Sequence, residues 1–348
     1  MQNWGREDMA DIRKRFITAL KDTVDEWKKR ENVIGMFVYG SYVKGTITAN
    51  SDLDICIVWE APEAPAPLIA EHKGVRVDMT FLTANTIEEV IEGKEYDDTD
   101  IATVIVRLRN AEVVHDTKGI LKNWREHAIN YTWPEQIIEN VKKRAMDALQ
   151  EATAYDEKGD TVVSVHEVRR SLYELGKVIL MRHNIFNIIR PSEIMTEVRL
   201  LDTITYQLFL RTFKLKGMSE ESLLELLEEV SRWLKIAEER FADGTALDSA
   251  LQLINHAQRD YYGALSLTYN GDFELAVLEM RHSIEMIGMA LLSLSGKSFD
   301  KPSEFIPVLR NNEVEFFDDM FVKHGAFEFQ SIGIQRSIAE AQFIANRL

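Results

Sequence analysis

The sequence predicts an α+β fold, with a mixed sheet and its helices at the N-terminus and an all-α region after it. Apolar runs bounded by turn residues, which favour strands, end near residue 115 of the 348-residue chain. Helical periodicity dominates beyond Tyr131-Thr132-Trp133-Pro134, where proline suits a first helical turn. The helical part also contains an internal repeat. We therefore expect three domains, at residues 1–130, 131–245 and 246–348.

Four segments have the apolar or alternating pattern of strands: 34–39, 53–59, 75–81 and 112–115. An amphipathic helix from Met9 to Trp27 is expected before the first strand. Residues 61–67 hold three of the seven prolines and predict a surface loop. Residues 102–108 are compatible with either helix or strand.

Carboxylates at the start of the second strand indicate metal chemistry. Asp52 and Asp54 alternate with Leu53, so they project from one face of the strand, roughly 6–7 Å apart. Mg²⁺ prefers oxygen ligands and commonly takes one or two carboxylates plus substrate phosphates. Asp78, on the third predicted strand, would lie about 5 Å across the ladder if the two strands are neighbours. Three carboxylates could then hold two metals for phosphoryl displacement.

Small residues between the first two strands predict a phosphate-binding turn. Backbone N–H groups at Gly40-Ser41 could bind phosphates, as glycine-rich turns before helices do. Lys44 follows one helical turn after Ser41, within reach of the same phosphates. We include Ser51, beside the first carboxylate, among the candidate nucleotide-binding residues.

The spacing Gly40-Ser41, ten residues, Asp52-x-Asp54, and a later strand with Asp78 resembles the nucleotidyltransferase superfamily. That resemblance implies the fold of the DNA polymerase beta catalytic core. Within the superfamily, the sequence is most similar to the kanamycin nucleotidyltransferase group, through residues 114–119 and 191–197 and as far as about Gly244. The kanamycin enzymes place Glu at the second and third acid positions, where this chain has Asp; both residues can bind the metal.

The resemblance implies a Mg²⁺-dependent transfer of a nucleoside monophosphate, AMP from ATP, to a hydroxyl of a small, aminoglycoside-like acceptor, with release of pyrophosphate. Asp52, Asp54 and Asp78 would act as catalytic metal ligands. The resembling enzymes take their base from the first helix of the helical domain, which we expect at residues 134–158. Glu151 is our choice for that base and Asp147 the alternative. A protein or RNA acceptor, as in antitoxin-type enzymes, and a non-catalytic nucleotide-binding module are the rival hypotheses.

The helical half repeats itself with an offset of 112 residues. Gly159-Asp160 and the segment 167–172 correspond to Gly271-Asp272 and the segment 279–284. Both copies resemble the helical domains of the kanamycin nucleotidyltransferase C-terminal and HEPN type. The Arg–His spacing of HEPN ribonucleases is absent from both copies, which argues against RNase activity. Because the resembling enzymes complete their active site across a dimer, we hypothesise that the second copy replaces a partner's domain or covers the acceptor pocket.

The composition bears on the class of acceptor and on the cellular location of the protein. A net charge of −16 argues against a nucleic-acid acceptor and fits a cationic small molecule. The acidic segment 95–100 is either a solvated turn or a lip that attracts such an acceptor. A single cysteine, Cys56, a polar N-terminus and the lack of a membrane-length apolar run favour a cytoplasmic protein. Both a monomer and a homodimer are compatible with the sequence.

Overall fold

The computed structural model describes residues 9–48, 51–94, 96–243 and 248–348. The chain divides into two compact units, Met1–Pro134 and Glu135–Leu348. The first boundary therefore lies close to the one predicted at residue 131. The boundary predicted at 245/246 lies outside the described residues, and the chain on both sides of it belongs to the second unit.

The first unit is the predicted mixed sheet with helices. Its described elements are α1 Met9–Trp27, β1 Val33–Tyr39, α2 Gly40–Lys44, β2 Leu53–Trp59, β3 Leu68–His72, β4 Val75–Thr83, α3 Ala84–Ile91, α4 Asp98–Arg109, β5 Glu112–Asp116 and α5 Leu121–Asn130. The strand order is β3-β4-β2-β1-β5. Strands β2 and β4 run parallel, whereas the other neighbouring pairs are antiparallel. The four predicted strands are confirmed, and the ambiguous segment 102–108 is helical.

Strand β3 was not predicted from the sequence. It lies at an edge of the sheet, and Leu68 and Ile69 are exposed. A short edge strand needs no apolar alternation because neither of its faces is fully covered, so the pattern that revealed the other strands is missing here.

The two faces of this sheet carry different residues. One face holds Leu53, Ile55 and Ile57 of β2 and packs against α1 through Ile12 and Phe16. The opposite face carries the alternate residues of β2, which begin with Asp54. Because the alternation is strict, burying the apolar set against α1 places the acidic residue on the other face.

The second unit is entirely helical in its described residues. Its elements are α6 Glu135–Glu157, α7 Thr161–Arg182, α8 Pro191–Leu201, α9 Thr203–Thr212, α10 Glu220–Asp243, α11 Asp248–Tyr269, α12 Phe273–Leu294, a 3₁₀ turn Pro302–Glu304, α13 Phe305–Asn312, α14 Val314–Phe316, a π-helical segment Phe317–Val322, α15 Lys323–Gly325 and α16 Ser331–Arg347. No described helix combines the length and the apolar character that crossing a membrane requires.

The predicted repeat has the same architecture in both copies. The first copy consists of α6, α7, α8 and α9, and the second of α11, α12, α13 and the segments after it up to α15. Each begins with a helical hairpin whose turn contains glycine with a positive φ, 76° at Gly159 and 79° at Gly271. Apolar residues of both copies form one continuous core, in which Leu172 of α7 and Ile284 of α12 are buried.

Candidate active site

Asp54 and Asp78 lie side by side on the sheet. They are direct partners in the parallel ladder of β2 and β4, with Leu53 opposite Val77 and Ile55 opposite Met79. Partners in a ladder project from the same face with Cβ atoms about 5 Å apart. The neighbouring strand order, which the sequence left conditional, therefore brings two of the three predicted acids together.

Gly40 packs directly against the first of these carboxylates. It follows Tyr39, the partner of Asp54 in β1, and has a φ of 73°. A Cβ atom at Gly40 would lie only 2.0 Å from Asp54 Oδ2. Both the left-handed conformation and this close approach require glycine.

The candidate phosphate-binding residues lie on the short helix that starts at this glycine. Helix α2 contains Gly40, Ser41 and Lys44, and Gly45, with a φ of 71°, ends it. Because Gly40 touches the Asp54 side chain, the start of α2 lies next to the acid pair. Lys44, in the last turn, is on the same helix as Ser41, as predicted.

Asp52 has a different environment from the other two acids. It precedes β2, and Arg76 of β4 approaches it, with 3.7 Å between Arg76 Nε and Asp52 Oδ1. Both side chains are partly exposed, at 40% for Arg76 and 36% for Asp52. The positive charge of Arg76 competes with a metal ion for the Asp52 carboxylate.

Ser51 organises the chain just before Asp52. Its Oγ accepts a hydrogen bond from the backbone N–H of Thr48 at 2.9 Å and lies 3.1 Å from Thr48 Oγ1. The backbone N–H of Ser51 in turn donates to the Thr48 carbonyl. Ser51 therefore closes a local turn that leads into the first acid.

Across the described residues, no group of three or more His, Cys, Asp or Glu is arranged to hold a metal ion. The Asp54–Asp78 pair nevertheless offers the oxygen donors that suit Mg²⁺, which takes one or two carboxylates and completes its shell with water and substrate phosphates. The three-acid, two-metal cluster that includes Asp52 stays a prediction.

The face that carries the acid pair is also lined by three residues that the sequence did not identify as site residues: Tyr39, Thr80 and Arg107. The Tyr39 hydroxyl lies 3.2 Å from Thr80 Oγ1. Arg107 of α4 places its guanidinium 5.6 Å from the centre of the Tyr39 ring. Burial raises the pKa of Tyr39 to about 12, although the charge of Arg107 lowers it. The alternation of β4 could have placed Thr80 on this face, but no local pattern points to Arg107.

The acidic segment, expected to be a solvated turn or a lip, leads into helix α4, which begins at Asp98. Asp97 caps α4 by accepting from the backbone N–H of Asp100 at 2.8 Å. Asp98 is only 3% exposed, and burial beside Asp97 and Asp98 raises the pKa of Asp100. Acids in a first helical turn stabilise the helix, so this cluster has a structural role. Glu95 lies outside the described residues.

The remaining predicted residue, Glu151, belongs to the second unit. It lies on α6, half-buried, whereas Asp147 on the same helix is exposed and Ala148 is buried. Their roles stay predictions.

A known protein family matches the part of the chain that carries the acid pair. Residues 20–131 match the family model of the nucleotidyltransferase domain. The chain carries a nucleotidyltransferase domain. This domain spans most of the first unit and includes the acid pair, Gly40 and α2.

Curated proteins include no significant match to the chain. Among solved structures, it is similar to a nucleotidyltransferase-like protein from Exiguobacterium sibiricum, with 11% identity and a TM-score of 0.39. That match covers 88% of this chain and 91% of the other.

Proposed function

We propose that this protein is a Mg²⁺-dependent nucleotidyltransferase that moves AMP from ATP to a hydroxyl of a small, cationic, aminoglycoside-like acceptor. The observation that carries the proposal is the direct pairing of Asp54 with Asp78, with the backbone of Gly40 packed against the Asp54 carboxylate. The two carboxylates lie beside the start of α2, inside a nucleotidyltransferase domain, which supports a metal site there.

Each residue has a stated role in the proposal. Asp54 and Asp78 hold the metal, which when bound offsets the charge of the nucleotide phosphates. Asp52 supports that site as a third acid. Gly40, Ser41, Lys44 and Ser51 bind the nucleotide, the first three through its phosphates.

The reaction is an in-line displacement at the α-phosphorus. The acceptor oxygen forms a bond to phosphorus, the bond to the bridging oxygen of the β-phosphate breaks, and pyrophosphate leaves. The proton of the acceptor hydroxyl goes to a carboxylate, for which we propose Glu151. This assignment rests on the resemblance to the kanamycin enzymes. The acidic net charge supports a cationic acceptor through long-range attraction.

The metal–nucleotide site can be tested without knowing the acceptor. We would measure thermal unfolding with a non-hydrolysable ATP analogue, with and without Mg²⁺, for the wild type, Asp54→Asn and Asp78→Asn. Ligand at about 100 times its dissociation constant stabilises a folded protein by roughly 2.7 kcal/mol, a shift of several degrees. We expect a Mg²⁺-dependent shift in the wild type that both variants lose.

Asp25→Asn is the matched control, because Asp25 is an exposed acid of the same unit that pairs with Lys28. It should keep the full shift. A wild type that gains no stability from the analogue and Mg²⁺, or an Asp54→Asn variant that keeps the whole gain, would refute the proposed site.

The acceptor class requires a transfer assay. ATP labelled at the α-phosphorus is incubated with the protein and either aminoglycosides or a cell lysate. Label in a small product supports the proposal, whereas label confined to protein or RNA replaces the small acceptor with a macromolecule.

A further inference from the structure

The Tyr39 side chain lies beside the acid pair, on the same face of the sheet. Tyr39 is the partner of Asp54 in β1, and its hydroxyl meets Thr80 of β4. Because β2 lies between β1 and β4, the ring must cross β2 to reach Thr80. Thr80 is the partner of Cys56, two residues beyond Asp54. The ring therefore lies over Cys56, next to the paired carboxylates on the same face.

Arg107 contacts the Tyr39 ring. Its guanidinium is 5.6 Å from the Tyr39 ring centre. Its charge also acts on the Cys56 thiol: burial raises the pKa of Cys56 to about 11, and the charge of Arg107 opposes that rise. Tyr39 and Cys56, on which Arg107 acts, belong to the face of the sheet that carries Asp54 and Asp78.

The partners of this guanidinium are unusual for a half-buried arginine. Within the described residues, Arg107 stacks on an aromatic ring and forms no ion pair with a carboxylate. A guanidinium keeps its charge at every relevant pH, and removing that charge from water is costly unless an anion pairs with it. Its planar fork matches the oxygens of a phosphate.

We propose that Arg107 binds the triphosphate of the nucleotide. This inference rests on the proposed function, since it assigns a further substrate contact within the same site. Tyr39 contacts the guanidinium, and Asp54 and Asp78 would hold the metal on the same face of the sheet. Arg107 would contact the phosphates from helix α4, and the backbone N–H groups of α2 would contact them as well.

The test compares variants of Arg107 in the full-length chain. We would measure the affinity of a non-hydrolysable ATP analogue and of AMP, both with Mg²⁺, for the wild type, Arg107→Met and Arg107→Lys. We expect Arg107→Met to weaken the ATP analogue about 10- to 100-fold, the usual effect of losing a charge-assisted hydrogen bond. AMP should lose less, because it carries one phosphate. Arg107→Lys should recover part of the affinity, since it keeps the charge without the fork.

Arg125→Met is the matched control, because it removes an arginine charge from an exposed position of the same unit. It should bind the analogue like the wild type. A purely structural Arg107 would weaken AMP and the ATP analogue equally and would gain nothing from lysine.

The outcomes separate this inference from the proposed function. If Asp54→Asn loses the analogue while Arg107→Met binds it within twofold of the wild type, Arg107 is not a phosphate ligand and the proposed function stands. If the wild type binds no nucleotide, both fail. If Arg107→Met does not fold, the test rests on Arg107→Lys. An affinity of Arg107→Lys for the ATP analogue equal to that of the wild type would overturn the inference.

Discussion

The two helical copies of the second unit share a framework but differ in the polar residues between them. Gly176 of α7 packs against Ile194 and Phe209, and Gly288 of α12 packs against Leu309 and Phe316. In each copy a glycine thus lets the second hairpin helix approach the helices that follow it. Both copies thus have a glycine at the position where a Cβ atom would make a tight contact.

Two equivalent arginines join the copies. Arg169 donates to the carbonyls of Thr212, Gly325 and Ala326, and Arg281 donates to those of Phe213 and His324. Each arginine therefore bonds the end of a helix in its own copy and the equivalent helix end in the other. The two arginines and the acceptor pairs Thr212/His324 and Phe213/Gly325 follow the 112-residue offset, so the copies are joined with approximate twofold symmetry. The bond from Arg169 to Ala326 has no counterpart in the other copy.

The two copies differ in the buried polar residues of α7 and α12. His166, which the second copy replaces by Leu278, lies between Glu167 of its own helix and Glu285 of the other copy, at 3.3 and 3.4 Å. His282, which replaces Arg170, donates from Nδ1 to the buried Asp260 at 2.6 Å. The first copy thus contributes His166 and Glu167 to these buried charged groups, and the second copy contributes Asp260, His282 and Glu285.

The copies also differ at the position of the proposed base. The equivalent of Glu151 is Gly263, and Glu279 Oε2 would lie 3.6 Å from a Cβ atom there. Glu279 Oε1 accepts from the backbone N–H of Ser192 at 2.9 Å, and burial beside Asp260 raises the pKa of Glu279. In the second copy this position thus faces the buried side chain of Glu279 and carries no carboxylate of its own. The two copies therefore share their packing glycines but differ in their buried polar contacts.

The largest expected effect comes from removing the arginines that join the copies. Arg169 is 6% exposed and makes three hydrogen bonds to carbonyls, whereas Arg281 makes two. Arg169→Met should destabilise the second unit by about 4 kcal/mol and Arg281→Met by about 2–3 kcal/mol, because buried carbonyls lose charged donors. Urea unfolding followed by circular dichroism measures both. Equal costs, or a larger cost for Arg281→Met, would contradict this reading of the interface.

A smaller effect, confined to a pH range, is expected at His166. Burial lowers the pKa of this imidazole, but Glu285 and Glu167 raise it further, to about 9. The folded pKa is thus above the unfolded value of about 6.5. The stabilisation is therefore complete below pH 6.5 and is lost as the pH rises to about 9, a change of about 3 kcal/mol.

His166→Leu, which introduces the residue of the second copy, should remove this loss. The pKa of His282 is also raised, with the same sign, but it titrates in both proteins and cancels in the difference. The measurement is the free energy of unfolding of both proteins at several values from pH 6 to 10. Parallel pH curves would show that the histidine does not stabilise the pairing of the copies.

The smallest effect should separate the two packing glycines. A Cβ atom at Gly176 would lie 2.7 Å from Ile194 Cγ2, and one at Gly288 would lie 3.0 Å from Phe316 Cε1. Gly176→Ala should cost about 1–2 kcal/mol, and Gly288→Ala less, because overpacking outweighs the helical preference of alanine. Gly263→Ala is the control: its contact is ordinary, so alanine should stabilise α11 slightly. Thermal unfolding that ranks the three variants differently would contradict the packing comparison.

Much of the first unit could be predicted from local pattern. The strands β1, β2 and β4 and the helix α1 follow from apolar periodicity, because each buries one defined face. The edge strand β3 buries little and carries no such signal. The helix α4 was ambiguous because buried helices and strands can share a short apolar run. The acids Asp52, Asp54 and Asp78 could be found by their spacing, but not their separate environments.

Local sequence was enough to identify four of the five strands, helix α1, the repeat and the candidate acids, because these depend on periodicity and on residue chemistry over short distances. Tertiary structure decided which residues meet. The parallel pairing of β2 with β4 joins Asp54 to Asp78, and the packing of α4 brings Arg107 over Tyr39. The closing of the two helical copies likewise joins His166 to Glu285. These contacts link residues far apart in the chain, where burial and charge complementarity choose among partners that no local pattern distinguishes.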